Sequence, residues 1–183
     1  MNALRPFAEA DVECRMSREW AMPNRWTFTI PPIARLIGRY LNDGNWLNPF
    51  AGLHVIGTLT NDLNPAMPTT HHLDALDFLR AQPSASADGV LFDPPYSPGQ
   101  IVEVYRSFGL AVTKETTQAA FWARCKDEIG RVTRPGATVI SCGWNSGGIG
   151  IDRGFDITEI LLVAHGGWHN DTIVTVERKR GAW

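Results

Sequence analysis

Residues Val90-Leu91-Phe92-Asp93-Pro94-Pro95-Tyr96 join a short apolar run to an acid, two prolines and an aromatic ring. The run reads as a buried strand that stops at a rigid polar tip. Proline donates nothing to a sheet ladder, so Pro94 and Pro95 end the strand at once. Their fixed backbone lets the Asp93 carboxylate, the carbonyls beside it and the Tyr96 ring converge on one small planar object. An ordinary turn after a strand would use the same residues, so the surrounding segments have to decide between the two.

The tetrapeptide Asp93-Pro94-Pro95-Tyr96 resembles the catalytic motif of the amino-methyltransferases. These enzymes move a methyl group from S-adenosylmethionine to an exocyclic amine, most often N6 of adenine in DNA. Such a nitrogen is a poor nucleophile because its lone pair is delocalised into the ring. Two acceptors on its two N–H bonds favour a pyramidal nitrogen and turn the lone pair toward the methyl. The resemblance implies that these acceptors are the Asp93 carboxylate and the Pro94 carbonyl. It also implies that the Tyr96 ring stacks on the base, a contact worth roughly 1–3 kcal/mol. A base inside a duplex cannot be reached, so flipping is expected.

Three upstream segments stand in the order this family uses. Trp46-Leu47-Asn48-Pro49-Phe50-Ala51-Gly52 is similar to the family's cofactor motif, a strand ending in a glycine turn where backbone amides approach the cofactor. Asn48 stands where the family usually has Asp, and Leu53-His54-Val55-Ile56 lacks the second glycine of the usual loop. Thr58 to Thr60 reads as a second strand, and Asp62 just beyond it is the acid expected to accept bonds from ribose hydroxyls. Leu63 would pack on the cofactor adenine. Asp62 follows Gly52 by only ten residues, whereas about 20 is the ordinary spacing. A full crossover helix does not fit there, so a crossover reduced to a loop is expected. Asp74-Ala75 resembles the third cofactor motif, which reads the adenine amino group. Asp74 also suits the N-cap of a short helix burying Leu76, Phe78 and Leu79. The resemblance further matches Thr27 to Ile30 to an N-terminal motif closing over the methionine end, with Phe28 in the cofactor site or in the core.

The 183 residues suit one domain with a sizeable core. The apolar fraction is 44% and no 18-residue apolar run occurs, so no membrane span is expected. No signal core is apparent near Arg5, Glu9, Asp11 and Glu13, which points to a cytoplasmic protein of a prokaryote or a phage-infected host. Cys14, Cys125 and Cys142 lack metal-ligand spacing and fit free thiols. No Pro-Cys pair supplies the nucleophile that C5-cytosine methylation needs. The five histidines form no His-Glu-x-x-His pattern, and no metal is expected. Net charge is −2, but residues 43–100 hold six acids and one base, and the flanks are mildly basic. DNA contact therefore requires local patches, a second subunit or a partner.

Together these patterns predict a Rossmann-like α/β fold of the class I methyltransferase type. A mostly parallel seven-stranded sheet would end in an antiparallel hairpin, with helices on both faces. Residues 1–25 read as an irregular extension, 26–96 as the cofactor and catalytic half, and 97–183 as the target side. Trp26 to Ile30 is expected to be extended. Helices are expected over 33–41, 101–108 and 119–132, and strands over 137–142, 157–165 and 171–177. Trp144, directly after the fifth strand, either borders the target pocket or is a partly buried loop residue. No separate target-recognition domain fits. Sequence reading would fall to residues 1–25, 97–118 and 143–155, to a homodimer, or to a specificity partner. Two alternatives to a DNA N6-adenine enzyme stand: an N4-cytosine or RNA base methyltransferase, and a non-catalytic nucleic-acid-binding subunit.

Overall fold

Apolar runs separated by proline and glycine turns build one sheet with a helix layer on each side. The computed structural model describes residues 13–109, 111, 112 and 119–181. Its strands are β1 (Arg15–Trp20), β2 (Trp46–Asn48), β3 (Leu59–Thr60), β4 (Ala87–Phe92), β5 (Thr133–Gly143), β6 (Phe155–Ala164) and β7 (Thr172–Lys179). They lie side by side in the order β1-β6-β7-β5-β4-β2-β3. β7 runs antiparallel to both of its neighbours, and every other pair is parallel. This is the expected Rossmann-like sheet with its C-terminal hairpin.

The helices are α1 (Pro31–Tyr40), α2 (Ala75–Arg80), α3 (Pro98–Ser107) and α4 (Ala119–Val132). Two prolines open α1, where their missing donors cost nothing. Its buried stripe of Ile33, Leu36 and Ile37 packs with Leu91, Ile140 and Val174 on one face of the sheet. Each such side chain contributes about 1.5–3 kcal/mol by leaving water. On the other face, Phe78 and Leu79 of α2 meet Phe121, Cys125 and Ile129 of α4 over Val90 and Val139. Asp74 caps α2 by accepting the Leu76 N–H at 2.9 Å, and the Ser97 hydroxyl caps α3 at Gln100.

Two expectations need correction. The segment before residue 25 is not irregular throughout: Arg15–Trp20 forms β1 and pairs in parallel with Glu159–Ala164 of β6. It is an edge strand with mostly exposed side chains, so it lacks the apolar alternation that marks a strand in a sequence. Residues 1–12 lie outside the described part, as does most of the polar stretch 112–118. The second correction concerns Trp26 to Ile30, which is not extended. Thr27–Thr29 forms a single 3-10 turn, and Ile30 then starts α1. Seven strands result nonetheless, because β1 takes the place expected for that segment.

The expected short crossover is present. β2 and β3 pair in parallel, Leu47 with Leu59 and Asn48 with Thr60, through a loop without a helix. At the far edge, the Glu159 carboxylate is 2% exposed and accepts bonds from Arg39 and from the Tyr40 hydroxyl at 2.7 Å. Burial alone would raise its pKa, but those donors hold it below the ordinary value. The same burial, together with Glu159, pushes Tyr40 up to about 12.

Trp46 lies flat over Gly89 on the neighbouring strand. A Cβ at residue 89 would come within 2.4 Å of the indole ring. Gly89→Ala should therefore destabilise the protein by about 1–3 kcal/mol through overpacking. Urea unfolding measures this directly, and an unchanged midpoint would show that the indole can move aside.

Candidate active site

The carboxyl ends of β2, β3 and β4 open onto one cavity of about 530 Å³, within the roughly 300–1,000 Å³ usual for small-molecule sites. Parallel pairing brings these ends to the same edge of the sheet, where open α/β sheets bind ligands. Of the residues expected to hold a cofactor, Phe28, Pro49, Phe50, Ala51, Gly52, Asp62, Leu63, Asp74 and Ala75 all line it. So do Asp93, Pro94, Pro95 and Tyr96. Asn48 is the exception. It is fully buried behind the glycine turn, where its amide donates to the Ile56 carbonyl and accepts the Phe50 N–H. It shapes the turn without reaching the cavity.

The turn itself is tightly specified. Gly52 has φ +60°, and its N–H donates to the Asp62 carboxylate at 3.0 Å. A side chain at residue 52 would also strike the Trp26 ring, 2.4 Å from a Cβ placed there. Trp26 in turn carries the Arg25 guanidinium 4.6 Å from its ring centre. The other Asp62 oxygen accepts the Asn64 N–H at 2.8 Å. The acid is thus held at the tip of β3 between two backbone donors.

Asn61 is a residue whose importance the sequence did not announce. Its side chain, 1% exposed, donates to the Pro49 and Leu73 carbonyls at 3.1 and 2.9 Å and accepts the Leu73 N–H at 2.9 Å. Its backbone carbonyl accepts the Ala51 N–H at 2.9 Å. One amide therefore ties together the glycine turn, the end of β3 and the approach to Asp74. Only its place next to Asp62 hinted at this. Tyr105 on α3 was missed as well; its hydroxyl donates to Asp74 across the cavity.

At the tip of β4, the Tyr96 hydroxyl donates to Asp93, and the Thr27 hydroxyl lies beside both. Enclosure by protein raises the Asp93 pKa, an effect partly offset by the bonds from Tyr96 and Thr27. Burial first, then the Asp93 charge, drives the Tyr96 pKa up, so its hydroxyl stays protonated. The Tyr96 ring also meets Trp144 edge to face, with centres 5.7 Å apart. The arrangement sets a carboxylate, two prolines and an aromatic ring in the wall of the 530 Å³ cavity. Among the described residues no group of acids, histidines and cysteines is placed to hold a metal ion. No described helix is long and apolar enough to cross a membrane.

No protein-family model and no curated sequence matches this chain. Solved structures resemble it in fold. One is the 1,6-didemethyltoxoflavin-N1-methyltransferase of Burkholderia thailandensis, with 1,6-didemethyltoxoflavin and S-adenosylhomocysteine bound. It is 12% identical over 82% of this chain and 77% of that one, with a TM-score of 0.57. A SAM-dependent methyltransferase of Methanosarcina mazei is 11% identical over 80% of this chain and 98% of its own, with a TM-score of 0.51. The cyclase SpnF is 12% identical over 88% and 87%, with a TM-score of 0.50. The fold is thus that of class I methyltransferases. It also serves a cyclase, so the reaction has to be read from the site.

Replacing Asn61 by Ala would take the side-chain partner from the Pro49 carbonyl and from the Leu73 carbonyl and N–H, in two loop segments. A loss of about 1–3 kcal/mol is expected from such orphaned groups, measured by urea unfolding. A variant as stable as the parent would mean that water replaces the amide and that the loops do not depend on it.

Proposed function

We propose that this chain transfers a methyl group from S-adenosylmethionine to the exocyclic N6 of adenine in DNA. One observation carries the reading: the Gly52 turn, Asp62 and Asp74 line the same cavity as Asp93-Pro94-Pro95-Tyr96. A methyl donor and an amine acceptor would therefore meet at one wall. The residues suit the cofactor. The glycine turn admits its amino-acid end, Asp62 faces its ribose, and Asp74 with Leu63 borders its adenine. The B. thailandensis enzyme holds S-adenosylhomocysteine on a comparable fold, which supports this assignment.

When bound, the cofactor supplies a methyl group made electrophilic by a sulfonium. The chain's own residues do the rest. Asp93 and the Pro94 carbonyl accept the two N–H bonds of the amine and free its lone pair from the ring. Tyr96 donates to Asp93 and fixes its orientation, while its ring offers a face to an unstacked base. The proton lost from the methylated nitrogen passes toward the Asp93 carboxylate. DNA would approach from the cavity mouth, where Arg25 stands over Trp26. Several other arginines of the basic flanks are spent on internal pairs, such as Arg35 with Glu19 and Arg134 with Asp88. The substrate contact is therefore local, and a homodimer or specificity partner would extend it.

Asp93→Ala should lower turnover at least about 100-fold, in the range for removing a group that handles a proton in the transition state. Its affinity for S-adenosylhomocysteine, read by calorimetry, should stay within a few-fold of the parent. Wild-type turnover in this variant would overturn the assignment.

The pH profile is a separate check. Asp93 acts as an acceptor only when ionised, and its pKa is raised by burial. Below that raised value it is protonated. Activity should therefore fall as pH drops, with a midpoint above the ordinary Asp value of about 3.9. A flat acidic limb down to pH 4 would contradict the role.

A further inference from the structure

β1 closes the sheet at one end, and no described strand lies beyond it. The Ala21 N–H, just after the strand, donates inward to the Ala164 carbonyl of β6 at 3.1 Å. Backbone groups alternate sides along a strand, so Met16, Arg18 and Trp20 turn theirs to the open edge. An open edge of this kind is a template for another strand.

The side chains add an apolar surface to that edge. Arg15, Ser17 and Glu19 face the α1 side of the sheet, where Glu19 pairs with Arg35. Met16, Arg18 and Trp20 face the other side. There Met16 is 75% exposed and Trp20 65%, beside the half-buried Ile160 and Leu162 of β6. The helices of that side, α2 and α4, pack over Leu47, Val90 and Val139 in the middle of the sheet. Between β5 and β6 the chain makes one 3-10 turn, Ile151–Arg153, and no helix. Grouped apolar residues left exposed in this way mark an interaction site.

The charges of β1 decide the occupant. A second copy of β1, laid antiparallel about a two-fold axis normal to the sheet, keeps like faces together. The axis then falls on a residue and pairs positions of equal parity. Centred on Ser17, the pairing sets Arg15 opposite Glu19 of the second copy, twice by symmetry, and Met16 opposite Arg18. Met16 of one copy and Trp20 of the other become diagonal neighbours, within reach of an aromatic ring. The neighbouring centres are worse. An axis on Met16 sets Glu13 against Glu19, and an axis on Arg18 or Glu19 sets that residue against its own copy. Like charges directly opposite one another destabilise a strand pair. Arg15 is available for the pairing. Its side chain is 68% exposed, and Glu159 lies 4.0 Å away, beyond a hydrogen bond.

We propose that β1 is a homodimer interface, through which two copies of this chain join antiparallel, centred on Ser17, into one continuous sheet. Met16 and Trp20 leave water, and the outward backbone groups of β1 gain partners. The proposal does not depend on the methylation reading. The larger cavity opens at the ends of β2, β3 and β4, away from β1, and stays accessible in the dimer.

Sedimentation velocity of the full chain over about 1–100 μM should show monomer giving way to dimer. Arg15→Glu and Trp20→Ser should each weaken association about tenfold, while their urea midpoints at high dilution stay at the parent value. Cysteine cross-linking in a Cys14→Ser background reads the register. Opposed Ser17 residues form a pair without mutual hydrogen bonds, with Cα atoms about 4.5 Å apart, inside the disulfide range. Ser17→Cys should therefore cross-link under mild oxidant, and Arg18→Cys should not. A monomer at every concentration would overturn the proposal, as would cross-linking of Arg18→Cys in preference to Ser17→Cys. A dimer left unchanged by both Arg15→Glu and Trp20→Ser would lie elsewhere on the surface and contradict it. A monomer whose Met16 and Arg18 amides resist hydrogen exchange would assign the edge to another segment of the same chain and overturn it equally.

Discussion

The parallel alignment of β4 between β2 and β5 is the constraint on which the site depends. Leu47 pairs with Val90, and Leu91 with Ile140, so three strands finish at one edge of the sheet. Pro94 and Pro95 then stop β4 where its neighbours also stop, and Asp93 is left at the rim. Neither the glycine turn after β2 nor the acid after β3 would face Asp93 without that alignment. A slip of β4 by one residue would turn Asp93 to the opposite face of the sheet. The apolar residues of β4, buried on both faces, hold the register.

A few buried polar groups then fix what the sheet only brings close. Asn61 ties two loop segments to the end of β3, Asp62 is held by two backbone donors, and Glu177 ties down the segment beyond Trp144. Each is satisfied by hydrogen bonds within the protein, as buried polar groups must be. The Ser141 hydroxyl, enclosed at the end of β5, has no such partner among the described residues.

The parts of this arrangement legible in the sequence are the local ones. Asp93 to Tyr96, the Gly52 turn, Asp62 and the Asp74 cap depend on residue types within short windows; the structure gathers them around one cavity, and Asp74 caps its helix. The short crossover was legible because ten residues cannot hold a helix and a strand. The contacts that escaped are long-range in sequence. β1 is an exposed, polar edge strand, and its partner β6 lies far along the chain. Trp26 covers Gly52 and Tyr105 reaches Asp74 only after the chain has folded. Asn48 sits inside the cofactor motif yet points into the interior, because its amide is taken up by the turn that follows.

The most direct test of the central claim is the identity of the methylated product. Purified protein is incubated with methyl-labelled S-adenosylmethionine and, separately, unmethylated duplex DNA, single-stranded DNA and total RNA. The nucleosides are then digested and identified by mass spectrometry. Label in N6-methyladenine from DNA is the predicted result. Label in no nucleoside, with the cofactor still bound, would contradict the account.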